Sequence, residues 1–160
     1  MKIISFIKSE LKDIYPIEEV NSFIYMIFDE VLKYSRTKVL VSSEQKIDAK
    51  YINQIYTITK ELKQQKPIQY IFGKTTFYDL IFKVNPSVLI PRPETEILID
   101  EVIKRVKDKN SNMTFAEVGV GSGIISIMLD QKFPNDKFID VDIFQLTIDI
   151  EKIYIENFGL

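Results

Sequence analysis

Residues 115–142 read FAEVGVGSGIISIMLDQKFPNDKFIDVD, and this stretch decides the fold class. The short apolar run 115–118 predicts a β-strand, residues 122–133 predict a helix, and residues 138–143 predict a second strand. A strand, a turn, a helix and a strand in this order are typical of the start of a parallel α/β sheet. We therefore expect an α/β fold in this part of the chain.

The turn between the first strand and the helix carries glycine at alternate positions, Gly119, Gly121 and Gly123. Glycine lets the backbone turn tightly and approach a ligand, and the following helix N-terminus presents free N–H groups. A dinucleotide-binding loop would have glycine or alanine at position 124, so this spacing fits S-adenosylmethionine better than NAD. Asp142 follows about 20 residues later, where a carboxylate can accept hydrogen bonds from ribose hydroxyls. The alternative is a simple connecting turn, with Asp142 capping a further helix.

A second motif, LIPRPETE at residues 89–96, precedes a predicted helix over residues 94–106. Two prolines hold the backbone extended around Arg92, so the segment could aim Arg92 or Thr95 at a carboxylate of a ligand. The alternative is an ordinary helix start, with proline and acidic residues in the first turn, and physics alone favours it.

The first part of the chain has apolar residues at helical spacing. Residues 2–42 predict two packed helices, the second beginning near Pro16. Ser42 or Ser43 could cap a third helix that extends to Pro67. We therefore expect a small helical bundle.

From Thr75 the apolar period changes to two, which predicts a β-hairpin. Asp79-Leu80 is a plausible turn pair because Asp tolerates unusual backbone angles. The expected division is residues 1–74 for the helical domain, 75–92 for the hairpin and linker, and 93–160 for the α/β part.

The composition excludes several kinds of chemistry. The chain has no Cys and no His, which excludes disulfides, thiolate nucleophiles, the usual zinc sites and imidazole triads. Lys+Arg of 21 against Asp+Glu of 23 gives a net charge of −2, which disfavours direct nucleic-acid binding. Neither a signal peptide nor an apolar run of about 20 residues is present, so we expect a cytoplasmic protein without a membrane or metal site.

Residues 69–78 (QYIFGKTTFY), 82–84 (FKV) and 88–96 (VLIPRPETE) closely resemble the release factor glutamine methyltransferases, also called the HemK or PrmC family. The resemblance continues through the glycine turn to Asp142. It implies an N-terminal helical domain that docks a peptide chain release factor, a hairpin linker, and the start of a class I, Rossmann-like methyltransferase domain. The implied reaction is S-adenosylmethionine-dependent methylation of the glutamine side-chain amide in the Gly-Gly-Gln motif of release factors, a step linked to translation termination.

The resemblance also implies a set of site residues. Glu117 stands where the family usually has Asp, and Val120 stands where it has a small polar residue, so these two positions depart from the pattern. The implied cofactor-binding residues are Glu117, Gly119, Val120, Gly121, Ser122, Gly123 and Asp142, with Arg92 and Thr95 as weaker candidates.

The family's Asn-Pro-Pro-Tyr loop, which grips the substrate amide, does not occur in residues 1–160, and the resemblance places it beyond Leu160. We therefore expect an N-terminal piece of the enzyme, inactive by itself and without a catalytic residue of its own. The open edge of an incomplete sheet could be covered by a partner chain or by self-association. Two other functions stay open: a ribosomal-protein glutamine methyltransferase, and a non-catalytic module that binds a release factor.

Overall fold

The computed structural model describes residues 2–41, 47–106 and 113–142. The chain separates into two compact units, residues 1–71 and 72–160. Within the described ranges, no helix is both long and apolar enough to cross a membrane.

The first unit is helical, as its apolar periodicity predicts. The helices α1, α2 and α4 pack on one another and bury Ile7, Leu11, Ile27, Ile55 and Leu62 completely. The five helices are α1 Lys2–Leu11, α2 Ile17–Leu32, α3 Arg36–Val41, α4 Ala49–Lys63 and α5 Ile68–Phe72.

Helices α2 and α4 both begin at residues that favour a helix start, but through different interactions. Pro16 stands immediately before α2, and Glu18 and Glu19 lie in its first turn, which confirms the predicted start. Helix α4 begins at Ala49, where Oδ1 of Asp48 accepts a hydrogen bond of 3.0 Å from the Lys50 N–H. Its cap is therefore Asp48. The prediction of Ser42 or Ser43 as its cap was wrong, because Asp48 stands immediately before the first helical residue. The two serines themselves lie outside the described residues.

The second unit contains two small sheets and two helices. Strands β1 and β2 pair antiparallel, and β3 and β4 pair parallel, joined by α7. The α/β class is thus confirmed, whereas the class I methyltransferase domain stays a prediction. The elements are β1 Lys74–Phe77, β2 Leu80–Lys83, α6 Pro93–Val106, β3 Thr114–Val118, α7 Ile124–Lys132 and β4 Lys137–Val141.

The β-hairpin is present, but its turn lies one residue earlier than predicted. Phe77 pairs with Leu80, so the turn residues are Tyr78 and Asp79, with φ of 46° and 61°. Positive φ at both positions is typical of the type I′ turn, one of the two-residue turns whose twist matches that of the strands. The predicted pair Asp79-Leu80 was wrong because Leu80 is the first residue of β2.

The core of the second unit joins the hairpin to both helices. It consists of Phe77, Phe82, Ile99, Ile124, Ile127, Met128 and Leu129. Helix α7 packs against β3 and β4, while Val118, Ile139 and Val141 of these strands are exposed.

Two expectations concern the last part of the chain, after Asp142. The predicted helix-like segment that extends to residue 158 lies outside the described residues. Leu160, beyond which the resemblance places the Asn-Pro-Pro-Tyr loop, lies outside them as well. The position of that loop and the absence of a catalytic residue up to Leu160 therefore stay predictions.

Candidate cofactor-binding site

The glycine turn lies between the end of β3 and the start of α7. Gly119, Gly121 and Gly123 have φ of 79°, 57° and 70°, a conformation that other L-residues rarely adopt. The Gly119 N–H donates a hydrogen bond of 2.7 Å to the Val141 carbonyl, which extends the β3–β4 pairing into the turn. The backbone geometry therefore explains why glycine stands at these alternate positions.

Two of these glycines have no described side chain or backbone packed closely against them. Among the described residues, a Cβ built on Gly119 would meet no atom within 4 Å, and one on Gly121 would meet only the Gly119 carbonyl oxygen, at 4.0 Å. As far as the described residues go, a ligand could therefore approach the main chain at these two positions.

Asp142 lies beside the turn, immediately after β4. Its Oδ2 atom accepts a hydrogen bond of 2.9 Å from the Gly121 N–H. The structure thus brings together the glycine turn and the carboxylate that the sequence singled out. A carboxylate accepts several hydrogen bonds at once, so this bond is compatible with further bonds from ribose hydroxyls.

Glu117, the other acidic candidate, is bound to the first turn of α7. Its Oε2 atom accepts hydrogen bonds from the Ser126 N–H, at 3.0 Å, and from the Ser126 hydroxyl, at 2.6 Å. The N-cap residue of α7 is Gly123, which has no side chain to offer. Glu117 therefore fulfils the capping role from the neighbouring strand, where a negative charge also favours the helix dipole.

A second carboxyl group adjoins the same hydroxyl. Asp140 pairs with Glu117 across the parallel strands, and its Oδ1 lies 2.5 Å from the Ser126 hydroxyl oxygen. Burial raises the pKa of Glu117 and the charge of Asp140 raises it further, whereas the two bonds from Ser126 lower it. Sequence reasoning missed Ser126 and Asp140. The sequence feature that could have identified Asp140 is the acidic residue at an inward-facing position of each strand.

The remaining candidates divide into two groups. The side chains of Val120 and Ser122 are buried, so these residues would present their main chain to a ligand. Arg92 is exposed and its carbonyl accepts the Thr95 N–H at 3.0 Å, at the start of α6. Within the described part of the chain, no hydrogen bond or ion pair joins Arg92 or Thr95 to the glycine turn.

Comparison with known proteins connects this chain to one family. Residues 2–73 match the PrmC N-terminal domain family. The release factor glutamine methyltransferase of Flavobacterium psychrophilum is 38% identical over 135 residues, which cover 83% of this chain and 47% of that protein. The protein of the same name from Bacteroides thetaiotaomicron is 33% identical over 151 residues, which cover 94% of this chain and 53% of that protein. This chain spans about half the length of the curated relatives it matches.

Proposed function

Because this chain belongs to the family of release factor glutamine methyltransferases, we propose that it binds S-adenosylmethionine and a peptide chain release factor for methylation of a glutamine side chain. The acceptor is the glutamine of the Gly-Gly-Gln motif, and the reaction takes place in the cytoplasm, where translation terminates. The observation that carries the proposal is the hydrogen bond of Gly121 to Asp142 beside an open glycine turn.

In this proposal the second unit holds the cofactor. The main chain from Gly119 to Gly123, including Val120 and Ser122, lines its methionine part. Asp142 accepts hydrogen bonds from its ribose hydroxyls, as a carboxylate held beside the turn is suited to do. Glu117 supports the turn by capping α7 through Ser126, while Arg92 and Thr95 are weaker candidates for contacts at the cofactor's carboxylate.

The proposed chemistry agrees with the residue types that the chain lacks. When bound, the cofactor supplies an activated methyl group. Transfer to an amide nitrogen requires that the nitrogen be positioned in line with that group, and it requires no side-chain nucleophile. A chain with no Cys and no His can therefore contribute to this reaction through binding and orientation.

The first unit is proposed to dock the release factor. Its match to the PrmC N-terminal domain, residues 2–73, supports this role, since release factors are named as the substrates of the relatives. The family's Asn-Pro-Pro-Tyr loop does not occur between Met1 and Leu160, so the proposed contribution of this chain is the binding of both substrates.

Three calorimetric titrations of the 160-residue chain test the proposal, with S-adenosylmethionine, with a release factor and with a ribosomal protein. Saturable binding of the first two is the expected result. Binding of the release factor alone would favour a non-catalytic docking module. Binding of a ribosomal protein in place of the release factor would favour the ribosomal-protein methyltransferase, and binding of none of them by the folded chain would overturn the proposal.

A further inference from the structure

Ser126 lies between two carboxyl groups that face each other across β3 and β4. Its hydroxyl oxygen is 2.6 Å from Oε2 of Glu117 and 2.5 Å from Oδ1 of Asp140. The Ser126 residue is only 6% exposed, and Glu117 and Asp140 are partners in the strand register. The three groups therefore form one short, partly buried row of oxygen atoms.

The number of hydrogen atoms among Ser126, Glu117 and Asp140 decides how many of the carboxyl groups are protonated. Each of the two oxygen–oxygen contacts is as short as a hydrogen bond and needs a hydrogen between its atoms. The Ser126 hydroxyl has one hydrogen, and ionised carboxylates have none. A second hydrogen must come from one carboxyl group, because two partly buried anions around a single hydroxyl hydrogen would repel each other.

We propose that Ser126 is a positioning residue that keeps one proton shared between Glu117 and Asp140, and that this proton holds the first turn of α7 and the glycine turn before it. The proposal rests on the proposed function only in taking that turn as the cofactor site.

Ser126 also explains how the proton acts on the helix. Its N–H donates to Oε2 of Glu117 and its hydroxyl oxygen lies within hydrogen-bond distance of both carboxyl groups, so one residue connects the helix terminus to the carboxyl pair. Loss of the proton to solvent leaves two anions on adjacent strands, and their repulsion moves Glu117 away from the Ser126 N–H. Helix α7 then loses the cap that Gly123 itself does not provide.

Burial supports this protonation state, since it raises the pKa of Glu117 more than any other influence does. No basic side chain within the described residues forms an ion pair with either carboxyl group. The other charged groups that the structure describes on or beside the packed elements are Asp136, Lys137 and Asp142 at the ends of β4, Asp130 and Lys132 on α7, and Glu94, Glu96, Asp100, Glu101, Lys104 and Arg105 on α6.

Carbon-13 NMR of the carboxyl groups, in the unliganded 160-residue chain, tests the proposal directly. We expect the Glu117 carboxyl group to titrate above its ordinary range, the direction that burial favours. The backbone amide signals of Ser126 and Gly121 should shift with the same midpoint. The proposal is overturned if Glu117 titrates within its ordinary range, or if these amide signals do not follow its titration.

Three variants separate a shared proton from a merely structural contact. Asp140→Asn leaves one ionisable partner, so the midpoint of Glu117 should fall toward its ordinary value. Ser126→Ala should abolish the coupling between the carboxyl step and the Gly121 amide. Asp130→Asn, on the same helix, is the matched control and should leave the midpoint unchanged. A Glu117 midpoint that is the same in Asp140→Asn as in the parent chain contradicts the proposal.

This test does not require the cofactor, so its result is independent of the proposed function. Titrations with S-adenosylmethionine at pH values below and above the measured midpoint of Glu117 connect the shared proton with cofactor binding. We expect S-adenosylmethionine to bind the parent chain more weakly above the midpoint. The Asp140→Asn variant should show no such change. Binding that does not depend on this midpoint would overturn the role of the proton in holding the glycine turn.

Discussion

The N–H of Gly121 donates a hydrogen bond of 2.9 Å to the carboxylate of Asp142. The two residues belong to different connections, one before α7 and one after β4. The bond exists because β3 and β4 are parallel neighbours, so that their carboxyl ends meet at one edge of the sheet. The glycine turn and the carboxylate of Asp142 therefore lie together at that edge.

Replacing Asp142 should weaken cofactor binding far more than it weakens the fold. Asp142→Ala removes a charged hydrogen-bond acceptor, so we expect a loss of about 1.5–3 kcal/mol in calorimetric titration with S-adenosylmethionine. Asp136→Ala is the matched control, because Asp136 likewise accepts a backbone N–H, that of Met113, at 2.9 Å. Equal affinity losses in both variants would remove Asp142 from the site.

Substitution of Gly121 separates backbone strain from ligand contact. Gly121→Ala and Gly73→Ala both place a side chain at positive φ, 57° and 68°, and each should destabilise the fold by about 1–2 kcal/mol in urea unfolding. Only Gly121→Ala should also reduce the affinity for S-adenosylmethionine. If Gly73→Ala reduces it equally, strain alone explains the loss and the glycine turn has no special role.

The Tyr78 hydroxyl group should make the stability of the fold depend on pH at high pH. It lies 2.7 Å from the Glu96 carbonyl oxygen and 2.7 Å from Oδ1 of Asp100. Burial, followed by the Asp100 bond and the charges of Asp100 and Glu96, raises the pKa of Tyr78 from 10.0 to about 12. Because the fold favours the protonated hydroxyl, this contribution is present below pH 10 and is lost as the pH rises toward 12.

Tyr78→Phe should therefore make the loss of stability between these pH values smaller than in the parent chain, as measured by urea unfolding at each pH. The same variant should be about 1 kcal/mol less stable at neutral pH, since it lacks the hydroxyl's hydrogen bonds. Tyr56→Phe serves as control, because Tyr56 is exposed and contacts Phe6 through its ring. A pH profile that is the same in Tyr78→Phe as in the parent chain would refute this role of the hydroxyl.

Two leucines of the helical unit test where its core lies. Leu62 is completely buried on α4, whereas Leu40 on α3 is 70% exposed. Leu62→Ala should reduce the free energy of unfolding by about 2–5 kcal/mol, because it removes buried apolar volume and leaves a cavity. Leu40→Ala should change it by less than about 0.5 kcal/mol. A large loss in Leu40→Ala would show that its side chain is covered in solution.

Much of the local structure was predictable because its causes are local. The apolar spacing predicted the helices, and Pro16 with Glu18 and Glu19 marked the start of α2. The glycine turn was predictable for the same reason, since its φ values restrict those positions to glycine. The choice between Asp48 and a more distant serine as the cap of α4 was harder, because both residue types cap helices equally well.

The sequence by itself thus determined the helical first unit, the strand–helix–strand order of the second unit and the position of the glycine turn, since periodicity and backbone angles are properties of neighbouring residues. Only the tertiary structure decided that Glu117 caps α7 through Ser126, and that Asp140 shares this contact. Both depend on the register of β3 against β4, where a shift of one residue would turn either carboxyl group to the opposite face of the sheet.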